Sequence, residues 1–179
     1  VRGSNPQLIT DAIQKAMWMV GEKFSSGEFF LPEMLMAARA STKATEVLQP
    51  LLSASSSTIL GTVVIGTVFG DIHDIGKNIV TMFLKSSGFV VKDIGINVPA
   101  ERFIEAINED KPDIVGISAL LTTTLGAMEN TVKEIGTAGL RSRVKIILGG
   151  APVTQRYADQ IGADGYAKDG GAAIEACRK

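Results

Sequence analysis

The feature that most constrains the fold is an alternation of apolar strand-like runs with helix-like stretches after residue 60. The five strand-like runs lie at 62–69, 89–95, 113–120, 144–150 and 165–170. Each is followed by a stretch whose apolar residues recur at helical spacing. Strict strand–helix alternation predicts right-handed crossovers and a parallel sheet covered by helices on both faces.

The first fifty residues follow a different, purely helical pattern. A first helix begins near Pro6, a turn follows at 25–27, and Pro32 opens a second helix that ends near Pro50. The polar stretch 53–57, SASSS, is typical of a linker. We therefore predict a helical cap domain over 5–52 and an α/β domain over 58–179. The second domain is expected to be a flavodoxin-like (Rossmann-like) five-stranded parallel sheet.

Composition excludes several classes of function. The formal net charge of −1 argues against a nucleic-acid partner, which requires a clustered basic surface. No apolar run approaches the roughly 18 residues of a membrane span, and no signal segment opens the chain. One cysteine and one histidine exclude an internal disulfide and a conventional zinc site. We expect a cytoplasmic protein that binds neither nucleic acid nor membrane.

The loop after the first strand, GDIHDIGKN, holds the only histidine. Ligands of such sheets bind beyond the carboxyl ends of the strands, where the strand order reverses. The Asp71 carboxylate could fix the tautomer of His73 and direct its other ring nitrogen toward a metal. A macrocycle would then supply the remaining metal ligands. The motif alone favours a histidine that is simply solvated or hydrogen-bonded. Gly76 permits either an unusual backbone turn or close approach of a ligand.

Polar and glycine residues follow the later strands, in SALLTTT, LGGAPV and AKDGG. The hydroxyls of Ser118, Thr122 and Thr124 could bind a ligand, although capping of the next helix is the simpler interpretation. Gly149-Gly150 could let backbone run against a ligand or form an ordinary turn. No dinucleotide-binding or Walker-type glycine motif is present in the sequence.

Taken together, these motifs resemble a known family. Asp71-x-His73-x-x-Gly76, Ser118-x-Leu120 and Gly149-Gly150 are similar to the cobalamin-binding module of methyltransferases. The resemblance extends to methionine synthase and to the small corrinoid proteins of methanol and methylamine systems. VGEKFSSGEFFLPEMLMAAR, residues 20–39, resembles the helical cap that precedes that module.

The resemblance implies a cobalamin or related corrinoid cofactor in the base-off, His-on state, with His73 as the ligand of cobalt. Asp71 and Thr124 would form a proton relay behind the imidazole. Ser118, Thr122, Gly149, Gly150 and Gly170 would contact the nucleotide tail. Phe24 and Leu31 would shield the methyl group, although both could be ordinary helix core. The full set implied to bind the cofactor is Phe24, Leu31, Asp71, His73, Asp74, Ile75, Gly76, Ser118, Leu120, Thr122, Gly149, Gly150 and Gly170.

The resemblance also implies a methyl carrier. A substrate-specific methyltransferase would load the corrinoid, and a second methyltransferase would pass the methyl group to coenzyme M or tetrahydrofolate. A reductive activation protein would be a further partner. No substrate-binding domain is recognisable, so we expect a subunit and not a complete enzyme. Caps of the family have four helices, and we therefore expect the two-helix cap to be incomplete.

Three other interpretations share part of the pattern. A cobalamin-dependent sensor would bind the cofactor in the same way, but no basic DNA-binding segment accompanies this sequence. Adenosylcobalamin mutases have the same Asp-x-His-x-x-Gly core, but HDIGKNIV follows the methyltransferase pattern. A flavodoxin-like domain without a corrinoid remains the third interpretation.

Overall fold

A computed structural model describes residues 6–52 and 59–178, and the predicted linker 53–57 lies outside the described residues. Two helices, α1 (Pro6–Ser25) and α2 (Leu31–Leu52), form a hairpin around a turn in which Gly27 has φ 80°. Such a positive φ favours glycine. The second helix ends at Leu52, two residues beyond Pro50.

The remaining elements alternate as the sequence predicts. The strands are β1 (Thr62–Thr67), β2 (Val90–Asp93), β3 (Ile114–Ser118), β4 (Lys145–Gly149) and β5 (Gly165–Ala167). The helices are α3 (Ile75–Ser86), α4 (Ala100–Asp110), α5 (Leu125–Thr137), α6 (Gln155–Gln160) and α7 (Gly170–Arg178). All pairings are parallel and the order is β2-β1-β3-β4-β5. The prediction of a flavodoxin-like sheet is confirmed.

Apolar side chains cover both faces of the sheet. On one face, Phe103 and Ile107 of α4 pack with Met128 and Ile135 of α5. The other face holds α3 and α7, together with Met17 and Met34 of the helical hairpin; these residues belong to a second buried cluster. The hairpin therefore extends the core on the α3–α7 face. The apolar stripes of α1 and α2 are therefore buried against the α/β domain.

A close helix crossing joins the hairpin to α7. A Cβ added at Gly21 would lie 2.9 Å from Gly171 Cα, so the two backbones touch where α1 crosses α7. Ser25 Oγ then donates to Asp169 Oδ1 at 2.8 Å, just before α7 begins. These contacts place the end of α1 beside the carboxyl edge of the sheet.

The strand order sets the position of the ligand-facing loops. β1 lies between β2 and β3, and Thr67 is paired with Ser118, which is paired with Gly149. β2 lies on one side of β1, and β3 lies on the other. The direction in which successive strands are added to the sheet therefore reverses between β1 and β3. The histidine loop and the SALLTTT loop are consequently neighbours at this crevice.

Candidate functional site

The site is built around a buried aspartate and a half-exposed histidine. The Asp71 side chain is fully buried, whereas 46% of the His73 side chain is exposed. His73 Nδ1 lies 2.7 Å from Asp71 Oδ1, and the His73 backbone N–H donates to the same oxygen at 3.0 Å. One carboxylate oxygen thus holds both the ring and the backbone of the histidine.

The second oxygen of Asp71 binds the loop after β3. Asp71 Oδ2 accepts hydrogen bonds from the backbone N–H groups of Leu120 at 2.7 Å and Leu121 at 3.3 Å. It also accepts one from Thr124 Oγ1 at 3.0 Å. Burial by itself would raise the pKa of Asp71, but the hydrogen bonds from His73, Leu120 and Thr124 lower it well below its usual range. Asp71 is therefore ionised at neutral pH.

An ionised Asp71 determines the tautomer of His73. The carboxylate can only accept, so Nδ1 carries the hydrogen that lies between them. In the neutral ring Nε2 then bears a lone pair, and it makes no hydrogen bond to the described residues. A fixed imidazole with a free Nε2 lone pair is the arrangement of a metal-ligating histidine.

For Thr124, the interpretation that its hydroxyl caps the next helix is wrong. It stands at the N-cap of α5 but makes no side-chain cap hydrogen bond. Its hydroxyl lies within 3.0 Å of Asp71 Oδ2 and 2.9 Å of the Leu121 carbonyl oxygen. The single hydroxyl hydrogen has two acceptors, of which the carboxylate is charged and therefore stronger.

Three contacts that the sequence analysis missed hold the histidine loop in place. Thr67 Oγ1 donates to the His73 carbonyl oxygen at 3.0 Å. Asn97, with φ 53°, accepts from the Gly70 N–H at 2.7 Å and donates its own N–H to the Asp71 carbonyl oxygen at 2.9 Å. Asn97 follows β2, outside the loops whose sequences predicted a site. Its tolerance of left-handed backbone was the available signal.

A slot runs from the histidine down the α3–α7 face of the sheet. Its volume is about 570 Å³, in the range of small-molecule sites. His73, Ser118, Gly149 and Gly170 lie at its mouth, where β1, β3, β4 and β5 end. Residues of β1, β3 and β4 form one wall, and α3 and α7 form the other, so the slot continues between sheet and helices.

The glycines near the slot have different structural reasons. A Cβ on Gly149 would meet only the Ala167 carbonyl oxygen, at 3.4 Å, which leaves this position open to the slot. Gly150 has φ 123°, and a Cβ there would lie 1.7 Å from the Ala119 carbonyl oxygen. A Cβ on Gly170 would lie 3.0 Å from Phe83 Cγ, so the glycine lets α7 approach this ring closely. Gly116, which the sequence analysis overlooked, also lines the slot, and a Cβ there would lie 3.0 Å from Ile65 Cγ1, so the glycine lets Ile65 pack against β3.

Gly76 lies in the first turn of α3 with no left-handed backbone, so the interpretation as an unusual turn is wrong. A Cβ there would meet nothing within 4 Å. The alternative of close ligand approach is the one that the geometry leaves open. Asp74 lies two residues before Gly76 and accepts a hydrogen bond from Asn78 Nδ2 at 2.9 Å.

The remaining predicted residues divide into two groups. Phe24, Asp74, Ile75 and Leu120 line the slot together with His73, and Ile75 is 73% exposed at its mouth. Leu31 and Thr122 do not line it. Leu31 begins α2 and is 39% exposed, and Thr122 is exposed in the 3-10 turn before α5. The structure therefore does not bring these two residues to the others.

The donor set fits a metal that is already held by a macrocycle. Among the described residues, no group of three or more His, Cys, Asp or Glu side chains converges to hold a metal ion. One imidazole nitrogen at the mouth of an apolar slot supplies a single ligand, so a macrocycle would have to supply the others. Exposed apolar side chains beside it, including Ile72 at 70% and Ile75, suit the face of a large ring.

Family comparisons agree with this geometry. Residues 61–178 match the model of the B12 binding domain, and residues 5–49 match a second B12 binding domain model. The first match covers more than half of the chain.

The chain belongs to the B12-binding family.

The relatives of this member of the B12-binding family include corrinoid proteins. Dimethylamine corrinoid protein 3 of Methanosarcina acetivorans is 46% identical over 168 residues, which is 94% of this chain and 79% of the relative. A cobalamin-binding protein from Desulfitobacterium hafniense has 36% identity and a TM-score of 0.86, over 97% of this chain and 82% of that one. The methanol:cobalamin methyltransferase complex MtaBC from Methanosarcina barkeri has 34% identity and a TM-score of 0.81, over 97% and 67%.

These matches include the helical hairpin as well as the sheet, because they cover nearly the whole chain. Membership in the B12-binding family excludes the interpretation as a flavodoxin-like domain unrelated to corrinoids. None of the described helices is long and apolar enough to cross a membrane.

Proposed function

We propose that this protein carries a methyl group on a bound corrinoid between two methyltransferases. The observation that carries the proposal is the free Nε2 of His73, fixed by ionised Asp71 at the mouth of the slot. When bound, the corrinoid supplies a cobalt centre that accepts and releases the methyl group. The protein would supply a cobalt ligand, the slot and the shielding from water.

His73 would hold the cobalt, and the corrinoid's own base would be detached, as in the base-off, His-on state. The slot beside Ser118 and Gly149 would receive the nucleotide tail that carries this base. Asp71 would hold the proton at Nδ1, and the Thr124 hydroxyl would adjust how strongly the carboxylate binds it. A proton taken up by this group of three would weaken the imidazole as a ligand, because both ring nitrogens of a protonated histidine are donors.

The helical hairpin over 5–52 is proposed as the cap of the corrinoid-binding domain over 58–179. Phe24 of α1 lines the slot, so α1 already lies beside the mouth. In the proposed role, Phe24 would exclude water from the methyl group until a partner displaces the hairpin. Leu31 lies outside the slot, so its predicted share in this shielding would require the start of α2 to move toward the mouth.

The proposed partners follow from the relatives. The names dimethylamine corrinoid protein and methanol:cobalamin methyltransferase complex support a substrate-specific methyltransferase as the donor. A second methyltransferase would take the methyl group to coenzyme M or tetrahydrofolate, and a reductive activation protein would return oxidised cobalt to the working state. We propose that this exchange takes place in the cytoplasm.

Methyl transfer with isotopically labelled methyl iodide tests this function. The protein loaded with hydroxocobalamin and chemically reduced should retain about one label per chain, because each bound corrinoid has a single cobalt to accept it. Adding an acceptor methyltransferase with coenzyme M, or one with tetrahydrofolate, should release the label into one of the two products. A label that is lost only on illumination, with no transfer to either acceptor, would contradict the carrier function and favour a sensor.

A further inference from the structure

The slot changes character along its length. Ser118, Lys168 and Asp169 lie at its mouth, beside the carboxyl ends of the strands. From Ser118 to Ile114 the β3 wall extends about 13 Å, at roughly 3.3 Å per residue. From Gly170 to Cys177 the α7 wall extends about 10 Å, at roughly 1.5 Å per residue. Both walls therefore lead from a polar mouth to a distant inner end.

The inner end is lined almost entirely by apolar side chains. Its lining consists of Val63, Leu84, Ile114, Ile147, Ala173 and Cys177. The only side-chain atom with hydrogen-bonding capacity is Cys177 Sγ. Burial raises the pKa of this thiol to about 12, so it stays protonated, and Lys145, which opposes that shift, does not line the slot. A protonated thiol is a weak donor and a weak acceptor.

We infer that the inner end selects corrinoids whose nucleotide tail ends in a benzimidazole-type base over those ending in a purine. The inference rests on the proposed function, because it assumes that the tail enters the slot. The base is the last group of the tail, so it reaches farthest from the cobalt and lies against the apolar lining. A benzimidazole has an apolar benzo edge that suits this lining.

A purine base would be penalised at the same place. Its ring nitrogens and exocyclic amine would leave water, and the inner lining offers them only one weakly bonding thiol. Burying polar groups without partners costs enough to reduce affinity by about tenfold or more. Selectivity would therefore come from what the lining lacks, and not from a specific contact with the benzimidazole.

Equilibrium binding of three corrinoids to the full chain tests the inference. Cobalamin ends in dimethylbenzimidazole, adeninylcobamide ends in a purine, and cobinamide has no nucleotide base. We expect cobalamin to bind about tenfold or more tightly than adeninylcobamide, measured by the change in visible absorption. Cys177→Leu, which fills the inner end, should weaken cobalamin about tenfold and leave cobinamide unchanged. Cys177→Ser, of nearly equal size, should reduce the difference in affinity between cobalamin and adeninylcobamide.

The cobinamide measurements separate two kinds of failure. Equal affinities for cobalamin and adeninylcobamide, with histidine ligation intact in both, would overturn the inference and leave the proposed function standing. Loss of cobinamide binding in Cys177→Leu would show a folding defect. The affinities of Cys177→Ser for cobalamin and adeninylcobamide would then decide whether the inference holds. An unchanged difference in Cys177→Ser would also count against the inference. No binding of any of the three would overturn the proposed function itself.

Discussion

Asp71 Oδ1 lies 2.7 Å from His73 Nδ1, and its other oxygen lies 3.0 Å from Thr124 Oγ1. One buried carboxylate thus joins the loops after β1 and β3 at the point where the strand order reverses. The same hydrogen bonds that hold the histidine ring also hold the fold together at this edge. Site chemistry and stability are consequently coupled through Asp71.

Replacing Asp71 with asparagine should weaken both. The amide cannot accept at both ends, so some of the N–H and O–H donors around it lose their partner. We expect Asp71→Asn to lower the free energy of unfolding by about 1–3 kcal/mol, measured by urea denaturation. Asp74→Asn, at the exposed neighbouring carboxylate, is the matched control and should change stability by less than about 0.5 kcal/mol. Equal effects of the two substitutions would contradict the assigned hydrogen bonds.

Acid should destabilise the protein partly through Asp71. The pKa of Asp71 is lower in the folded chain than the value of about 3.9 expected in the unfolded chain. A lowered folded-state pKa contributes stability above the unfolded value and loses it as the pH falls through the folded value. Asp71→Asn should therefore show a smaller decrease in unfolding free energy than the unmodified protein between about pH 5 and about pH 2. Parallel pH curves for the two proteins would disprove this contribution.

The two substitutions available at Thr124 separate its hydroxyl from its methyl group. Thr124→Ser keeps the donor to Asp71, whereas Thr124→Val keeps the shape and removes it. We expect the valine variant to lose about 1–2 kcal/mol of stability and to alter the pH dependence of histidine ligation in the loaded protein. The serine variant should keep the pH profile of the unmodified protein. A serine variant that behaves like valine would mean that the methyl group, and not the hydroxyl, matters.

Adjacent glycines should respond differently to alanine. Gly149→Ala places a methyl group in the slot with only an ordinary contact at 3.4 Å, so the fold should tolerate it. Corrinoid affinity should fall about tenfold, the usual effect of one methyl group in a fitted pocket. Gly150→Ala places its Cβ 1.7 Å from the Ala119 carbonyl oxygen and should lower stability by more than about 2 kcal/mol. Normal affinity in Gly149→Ala would argue that the tail does not enter the slot there.

Much of the fold could be predicted because its signals are local and repeated. Alternation after residue 60 indicated the parallel sheet, and the Asp71–His73 pair lies two residues apart in one loop. The backbone N–H groups of Leu120 and Leu121 could not be predicted, since any residue type supplies them. Asn97 was missed because its contribution depends on backbone conformation after β2. The need for glycine at position 116 depends on Ile65 of another strand, which packs against it and which no single stretch of sequence shows.

The most direct test of the central claim uses the fact that His73 is the only histidine in the sequence. Protein labelled with ¹⁵N-histidine, loaded with unlabelled cobalamin and reduced to the cobalt(II) state, would be studied by electron paramagnetic resonance. An axial nitrogen splits the cobalt lines into triplets if it is ¹⁴N and into doublets if it is ¹⁵N. Ligation by His73 predicts doublets in the labelled protein and triplets in the unlabelled protein. Triplets in both would show that the axial nitrogen belongs to the cofactor's own base, and the account would be wrong.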